Sequence, residues 1–177
     1  ICVSRSFSSE IYDVKELQEQ IANFASSMAE KLRKQRSVAA EMVVFAYTNR
    51  FKENLPQTHA SSLVSFNTPT SEHRTIITSA VQAAKELYRN GYGYKKAGVI
   101  ATHILDQEHM MHSLFEDTEA VEKEKKITTA LDSIKRAYGD GAIRLAIQGS
   151  GHIRSSSEKQ SPHYTTQWCD LPKVSVK

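Results

Sequence analysis

The sequence predicts an α+β fold, a βαββαβ four-stranded sheet with two helices on one face, followed by a small C-terminal α/β appendage. Three observations lead there. Two long segments carry apolar residues every three or four positions, as half-buried helices do. Four other segments are rich in β-branched and aromatic residues between turn signals. Their order up to about residue 107 is strand, helix, strand, strand, helix, strand. Helices that are apolar on one side only must cover one sheet face together, which leaves the other face open for a partner.

The first strand, Cys2 to Ser9, alternates Val3, Arg5 and Phe7 with Ser4, Ser6 and Ser8. A helix follows on Val14, Leu17, Ile21, Phe24, Met28 and Leu32, with Asp13 as N-cap and Glu16 as capping-box partner. Lys31, Arg33, Lys34 and Arg36 crowd its end, where positive charge complements the helix dipole. Val38 to Tyr47 reads as a buried strand, and a polar loop from Asn49 to Ala60 leads to a strand over Ser61 to Asn67 that Pro69 ends. Thr70 or Ser71 caps a second helix on Ile76, Ile77, Ala80, Val81, Ala84, Leu87 and Tyr88, which Asn90 and Gly91 stop. Tyr94 to Leu105 supplies the last strand.

After Gln107 the pattern changes. Residues up to Thr118 show no periodicity. Ile127, Leu131, Ile134 and Tyr138 mark a third helix, which Gly139 and Gly141 break, and Ile143 to Ile147 reads as a short strand. The remainder is rich in Ser, Gly and Lys, with Trp168 as its large anchor. Ile1, rather than Met, opens the chain within a predicted strand, which suggests a fragment of a longer protein.

The chain has 177 residues, 40% hydrophobic and 24% charged, in the range of a globular domain. A net charge of +3 with a pI near 8.8 is compatible with nucleic acid without requiring it. Cys2 and Cys169 have no pairing or metal spacing, which fits a reducing compartment. No apolar run approaches the ~20 residues of a membrane span. A reaction centre is equally hard to find. His103, His109 and His112 lack carboxylate partners on a firm scaffold and read as solvated linker residues. Gly91-Tyr92-Gly93 sits at the wrong pole of a helix to hold phosphate, and Gly149-Ser150-Gly151 opens no helix; both read as turns. Glu41 is the one acid in the middle of the sheet strands, too few for a two-metal site.

The segments Ser4–Phe7 (SRSF), Ala29–Arg33 (AEKLR), Thr68–Thr70 (TPT) and Tyr94–Val99 (YKKAGV) occur in an order and spacing that resemble the C-terminal part of the UmuC-type Y-family DNA polymerases. Ser161-Pro162, Tyr164 to Thr166 and Asp170-Leu171 extend the resemblance over essentially the whole chain. It implies that 1–107 is the Y-family little-finger DNA-binding domain, 108–119 a linker with a clamp-binding peptide, and 120–177 a small UmuC-type C-terminal domain. The catalytic palm, with the Mg that such a polymerase uses, would precede Ile1, so no catalytic residue and no cofactor is expected within these residues.

The resemblance further implies sequence-independent phosphate contacts on the open sheet face by Ser4, Arg5 and Ser6, by Ser62, Ser65 and Asn67 with Ser61 beside them, and by Lys95 and Lys96. Ile100 stands where some relatives carry another basic residue. For Lys95 and Lys96 the plainer alternative is a solvated strand start. In the linker, Leu114-Phe115 matches the hydrophobic plug of the clamp peptide, with Met111 in place of its Gln; the plainer alternative is packing of the pair against the C-terminal domain. The implied partners are primer–template DNA, a sliding clamp, a UmuD-like subunit and RecA, with no membrane. The implied setting is translesion synthesis in the SOS response to DNA damage, in the bacterial cytoplasm at the nucleoid. A second reading is a protein–protein interaction module that docks UmuD-like, RecA or clamp partners without significant DNA binding. A third, a ligand-binding regulatory domain, would need a concave apolar site that the sequence does not indicate.

Overall fold

A computed structural model describes residues 1–109, 118–139, 141–149, 169 and 171. The βαββαβ order is observed: β1 (Cys2–Ile11), α1 (Val14–Lys34), β2 (Ser37–Thr48), β3 (His59–Thr70), α2 (His73–Leu87) and β4 (Tyr94–Asp106). The strands form one sheet in the order β1-β4-β2-β3 with every neighbouring pair antiparallel. β4 and β2 therefore occupy the centre, and β1 and β3 the edges.

The helices form where the apolar spacing puts them. Asp13 caps α1 by accepting the Glu16 amide at 3.0 Å. Leu17, Ile21, Phe24, Met28 and Leu32 are all buried on one side of it. They meet Ile76, Ile77, Ala80 and Ala84 of α2 and the sheet residues Met42, Val44, Ala46, Ala97, Val99 and Ala101 in a single core. Each fully buried Leu, Ile, Phe or Met contributes about 2 kcal/mol by removal from water. Both helices thus lie on one face of the sheet.

Several element ends differ from the sequence expectation. β3 continues through Pro69 to Thr70, because an edge strand tolerates proline and its register against β2 shifts between Ala39 and Glu41. The N-cap of α2 is Glu72 rather than Thr70 or Ser71, with Thr70 Oγ1 accepting the Glu72 amide at 3.1 Å. α2 stops at Leu87, ahead of Asn90. The Tyr94 hydroxyl accepts the Arg89 amide at 2.8 Å and donates to the Leu87 carbonyl at 3.3 Å, so a fully buried phenol takes over the end of the helix. That burial also raises the Tyr94 pKa.

α3 (Thr118–Tyr138) forms, rotated from the face its apolar spacing suggested, with Leu131 and Ile134 half-buried. Ile127 and Tyr138 are 44% and 81% exposed, while Thr128 and Lys135 are buried. A charged fork sets this rotation. Arg33 of α1 binds Asp132 through two bonds of 2.7 Å, from Nε to Oδ2 and from Nη2 to Oδ1, and its Nη1 donates to the Ser71 carbonyl at 2.8 Å. Bidentate geometry of this kind fixes direction more firmly than an apolar contact does. The predicted strand at Ile143–Ile147 is instead a 3-10 turn, Ala146–Gln148. Leu145 packs on the core, and the buried Gln148 exchanges bonds with Asn23 of α1, its carbonyl accepting at 3.1 Å and its amide donating at 3.3 Å. A side-chain anchor of this kind needs a turn, not a ladder. The appendage is therefore helical among the described residues, without the expected β element. Trp168 lies outside them.

Beside the fork, His73 is buried, with Ser26 Oγ 3.4 Å from its Nε2. Burial pushes its pKa down to about 4; Lys135 and Arg33 add to this, and Asp132 and Glu30 oppose it. The unfolded chain therefore takes up the proton before the folded one does, so stability is complete above about pH 6.5 and is lost as pH falls toward about 4. Burial raises the Asp132 carboxyl while Arg33, Lys135 and His73 lower it, with a net lowering, so its contribution is lost only at still lower pH. Urea unfolding at pH 7.5 and 4.5 should show the loss, and His73→Gln should flatten it; equal stability of the parent chain at both pH values would contradict this assignment.

Candidate nucleic-acid interface

Side chains directly opposite one another in an antiparallel pair share a face, so the register assigns every strand residue. Ser4 pairs with Gly98 and Ser6 with Lys96, while Phe45 and Tyr47 pair with the same two residues from the other side. Ser61, Leu63 and Ser65 of β3 lie opposite Phe45, Val43 and Glu41. All belong to the face that α1 and α2 leave uncovered. Asn67 is exposed and follows the same alternation.

Three expected residues are placed otherwise. Arg5 pairs with Ala97, which puts it on the helix side of the sheet, exposed only because β1 is an edge. Ser62 pairs with the fully buried Val44 and also faces the helices, half-buried. Lys95 sits where the β4 register shifts, and its ammonium donates to the Ser8 carbonyl at 2.9 Å. Lys96 is thus the one Lys or Arg that the register assigns to the open face. The expected Met111, Leu114 and Phe115 lie outside the described residues.

The open face also carries features that the sequence reading passed over. Phe45 stacks on Tyr47 with ring centroids 4.8 Å apart, and Tyr47 on His59 at 3.7 Å. The rings run outward from a buried Phe45 through a half-buried Tyr47 to an exposed His59. Aromatic residues two apart in β2 were the available signal, since positions i and i+2 share a face. At the opposite end His103, with φ 45°, brings its Nδ1 within 2.7 Å of Glu41 Oε2. The remaining surface is hydroxyl, amide and aliphatic, with Leu63 59% exposed. Such a face can meet phosphate with hydroxyl donors and one ammonium, and can read no base sequence with them. Among the described residues no three His, Cys, Asp or Glu gather to hold a metal ion, and no helix is long and apolar enough to cross a membrane.

Comparison with known proteins places the chain in a family. Residues 1–114 match the impB/mucB/samB family C-terminal domain, and residues 125–174 match a domain of unknown function, DUF4113. The chain is 33% identical over 175 residues to Protein UmuC of Salmonella typhimurium, covering 98% of this chain and 42% of that protein. It is 29% identical over 173 residues to Protein ImpB of the same organism, covering 97% and 41%. The chain therefore spans about two fifths of the length of these curated relatives. Among solved structures it is similar to a chain of the complex of beta-clamp processivity factor and little finger domain of PolIV, with a TM-score of 0.46 and 18% identity, covering 66% of this chain and 98% of that one.

Gly98 lies where the open face is most tightly built. A Cβ there would meet the Ser4 Cβ, the Phe45 ring at 2.7 Å and the Val3 carbonyl oxygen at 2.7 Å. Because one of these is backbone, relief requires β1 to move. Gly98→Val should cost about 2–3 kcal/mol in urea unfolding; a change under about 0.5 kcal/mol would show that β1 is not held as described.

Proposed function

The chain belongs to the impB/mucB/samB family, whose C-terminal domain its residues 1–114 match, and from that premise we propose that it holds primer–template DNA on the open sheet face, without reading sequence and without chemistry of its own. The observation that carries this is that Ser4, Ser6, Ser61, Ser65, Asn67 and Lys96 share one uncovered face. Hydroxyl and amide donors with one ammonium suit phosphate oxygens, which every DNA sequence presents alike. A surface used on damaged template gains from that indifference. The longer protein would then be an error-prone translesion polymerase of the SOS response, supplying the Mg-dependent chemistry from its other part. Arg5, at the edge of the sheet, would reach a phosphate beside the face rather than on it.

The second reading, a protein-docking module for a sliding clamp, a UmuD-like subunit or RecA, draws on Leu63, an exposed leucine on the same face. The Leu114-Phe115 pair would serve the clamp. Capture of such partners from DNase-treated extract, together with failure to bind DNA, would favour it.

Few cations face the DNA, so binding should be weak and its salt dependence moderate. Each cation–phosphate contact contributes about −0.9 to the slope of log K against log salt, so Lys96 on the face and Arg5 at its edge predict a slope between about −1 and −2. Anisotropy titrations at two salt concentrations, on two unrelated primer–templates, check this. Lys96→Ala should weaken both duplexes alike, by about threefold to tenfold. Salt-independent binding, or a Lys96→Ala effect on one sequence alone, would contradict the proposal.

A further inference from the structure

The loop between β2 and β3, residues 49–58, carries the most exposed large hydrophobic side chain among the described residues, Phe51 at 87%. Exposed phenylalanines usually sit on loose segments, but this one does not. Gln57 Nε2 lies within 3.2 Å of three carbonyls, those of Asn49, Lys52 and Leu55, and its Oε1 accepts from Thr48 Oγ1 at 2.8 Å. Asn49 Oδ1 accepts the Phe51 amide at 3.1 Å, in an Asx-type turn. Lys52 pairs with Glu10 of β1 at 2.8 Å, so a loop that leaves the β2–β3 side reaches across the start of β4. Gln57, Asn49 and one ion pair thus fix the loop that holds an apolar ring out in water.

The loop begins directly beyond the Tyr47–His59 stack, at the end of the sheet where Lys96 lies opposite Tyr47. Arg50 and Lys52 belong to this loop, and Lys95 and Lys96 open β4 at the same end; Lys52 is held by Glu10 and Lys95 by the Ser8 carbonyl, and Arg50 and Lys96 are exposed. Exposed rings interleaved with cations suit unpaired bases, which stack, and their phosphates, which pair with charge. Bases within a duplex are already stacked and offer no faces to such rings.

We infer that this end of the open face, with Phe51 and His59 as stacking platforms and Arg50 as phosphate contact, binds unpaired nucleotides of the template strand that continues beyond the gripped duplex. The inference rests on the DNA-holding reading and adds a single-strand site to it. The test compares a fluorescein-labelled blunt duplex with the same duplex carrying a six-nucleotide dT overhang, for the 177-residue chain and for Phe51→Ala and Arg50→Gln. The parent chain should bind the overhang duplex at least fivefold more tightly, since each unpaired base that stacks on an exposed ring adds affinity a blunt duplex lacks. Phe51→Ala should abolish that preference while leaving the blunt duplex unchanged and the melting temperature within about 2 °C. Equal binding of the two duplexes by the parent chain, as expected if the loop docks a protein, overturns the single-strand site and leaves duplex holding intact. So does a preference that survives Phe51→Ala. Failure to bind either duplex overturns both readings.

Discussion

Pairing of β4 with both β1 and β2 is the constraint on which the rest of this molecule depends. The β2–β4 ladder sets Met42, Val44 and Ala46 against Ala101, Val99 and Ala97, all on the helix side. A slip of one residue would carry that whole set into water and draw Phe45, Gly98 and Lys96 beneath the helices. Burial of the small and branched side chains under α1 and α2 therefore also decides which residues face outward. The open face exists because two helices cover one side of four strands and nothing described covers the other. Its content follows from the register alone.

Three further devices hold the frame. The Tyr94 phenol ends α2 from inside the core, which ties the start of β4 to the helix layer. The Arg33–Asp132 fork and the Asn23–Gln148 exchange attach the C-terminal residues to α1 through polar groups. Partly buried charge pairs specify orientation at little net gain in stability, which suits an appendage whose position matters. They lie on the helix side, away from the proposed DNA surface, so attachment and binding do not compete for the same residues.

Much of this was legible in the sequence. α1 and α2 were, because apolar spacing of three and four has one plain structural meaning, and Asp13 marked the start of α1. The order of strands was, because β-branched and aromatic runs lay between turn signals. The face of Arg5 was legible too, since it shares the phase of Val3 and Phe7; the resemblance carried it to the open side by position instead. What the sequence could not supply was register. Ser61 and Ser62 look alike in a list, and only pairing with Phe45 and Val44 separates an outward serine from an inward one. The inward face of α3 was hidden for a related reason: its docking uses Asp132 against an arginine 99 positions earlier, a contact that no local periodicity reports. The stack of Phe45, Tyr47 and His59 likewise joins two strands across a loop.

The central claim is that DNA meets the sheet face opposite the helices. Backbone amide chemical shifts of the isotope-labelled chain, followed as a short duplex is added at low salt, test it most directly. The account predicts that shifts concentrate at Ser4, Ser6, Ser61, Ser65 and Lys96 and their neighbours along those strands, with α1 and α2 little changed on their outer sides. Shifts confined to α1, α2 and α3, with the sheet residues unmoved, would contradict it.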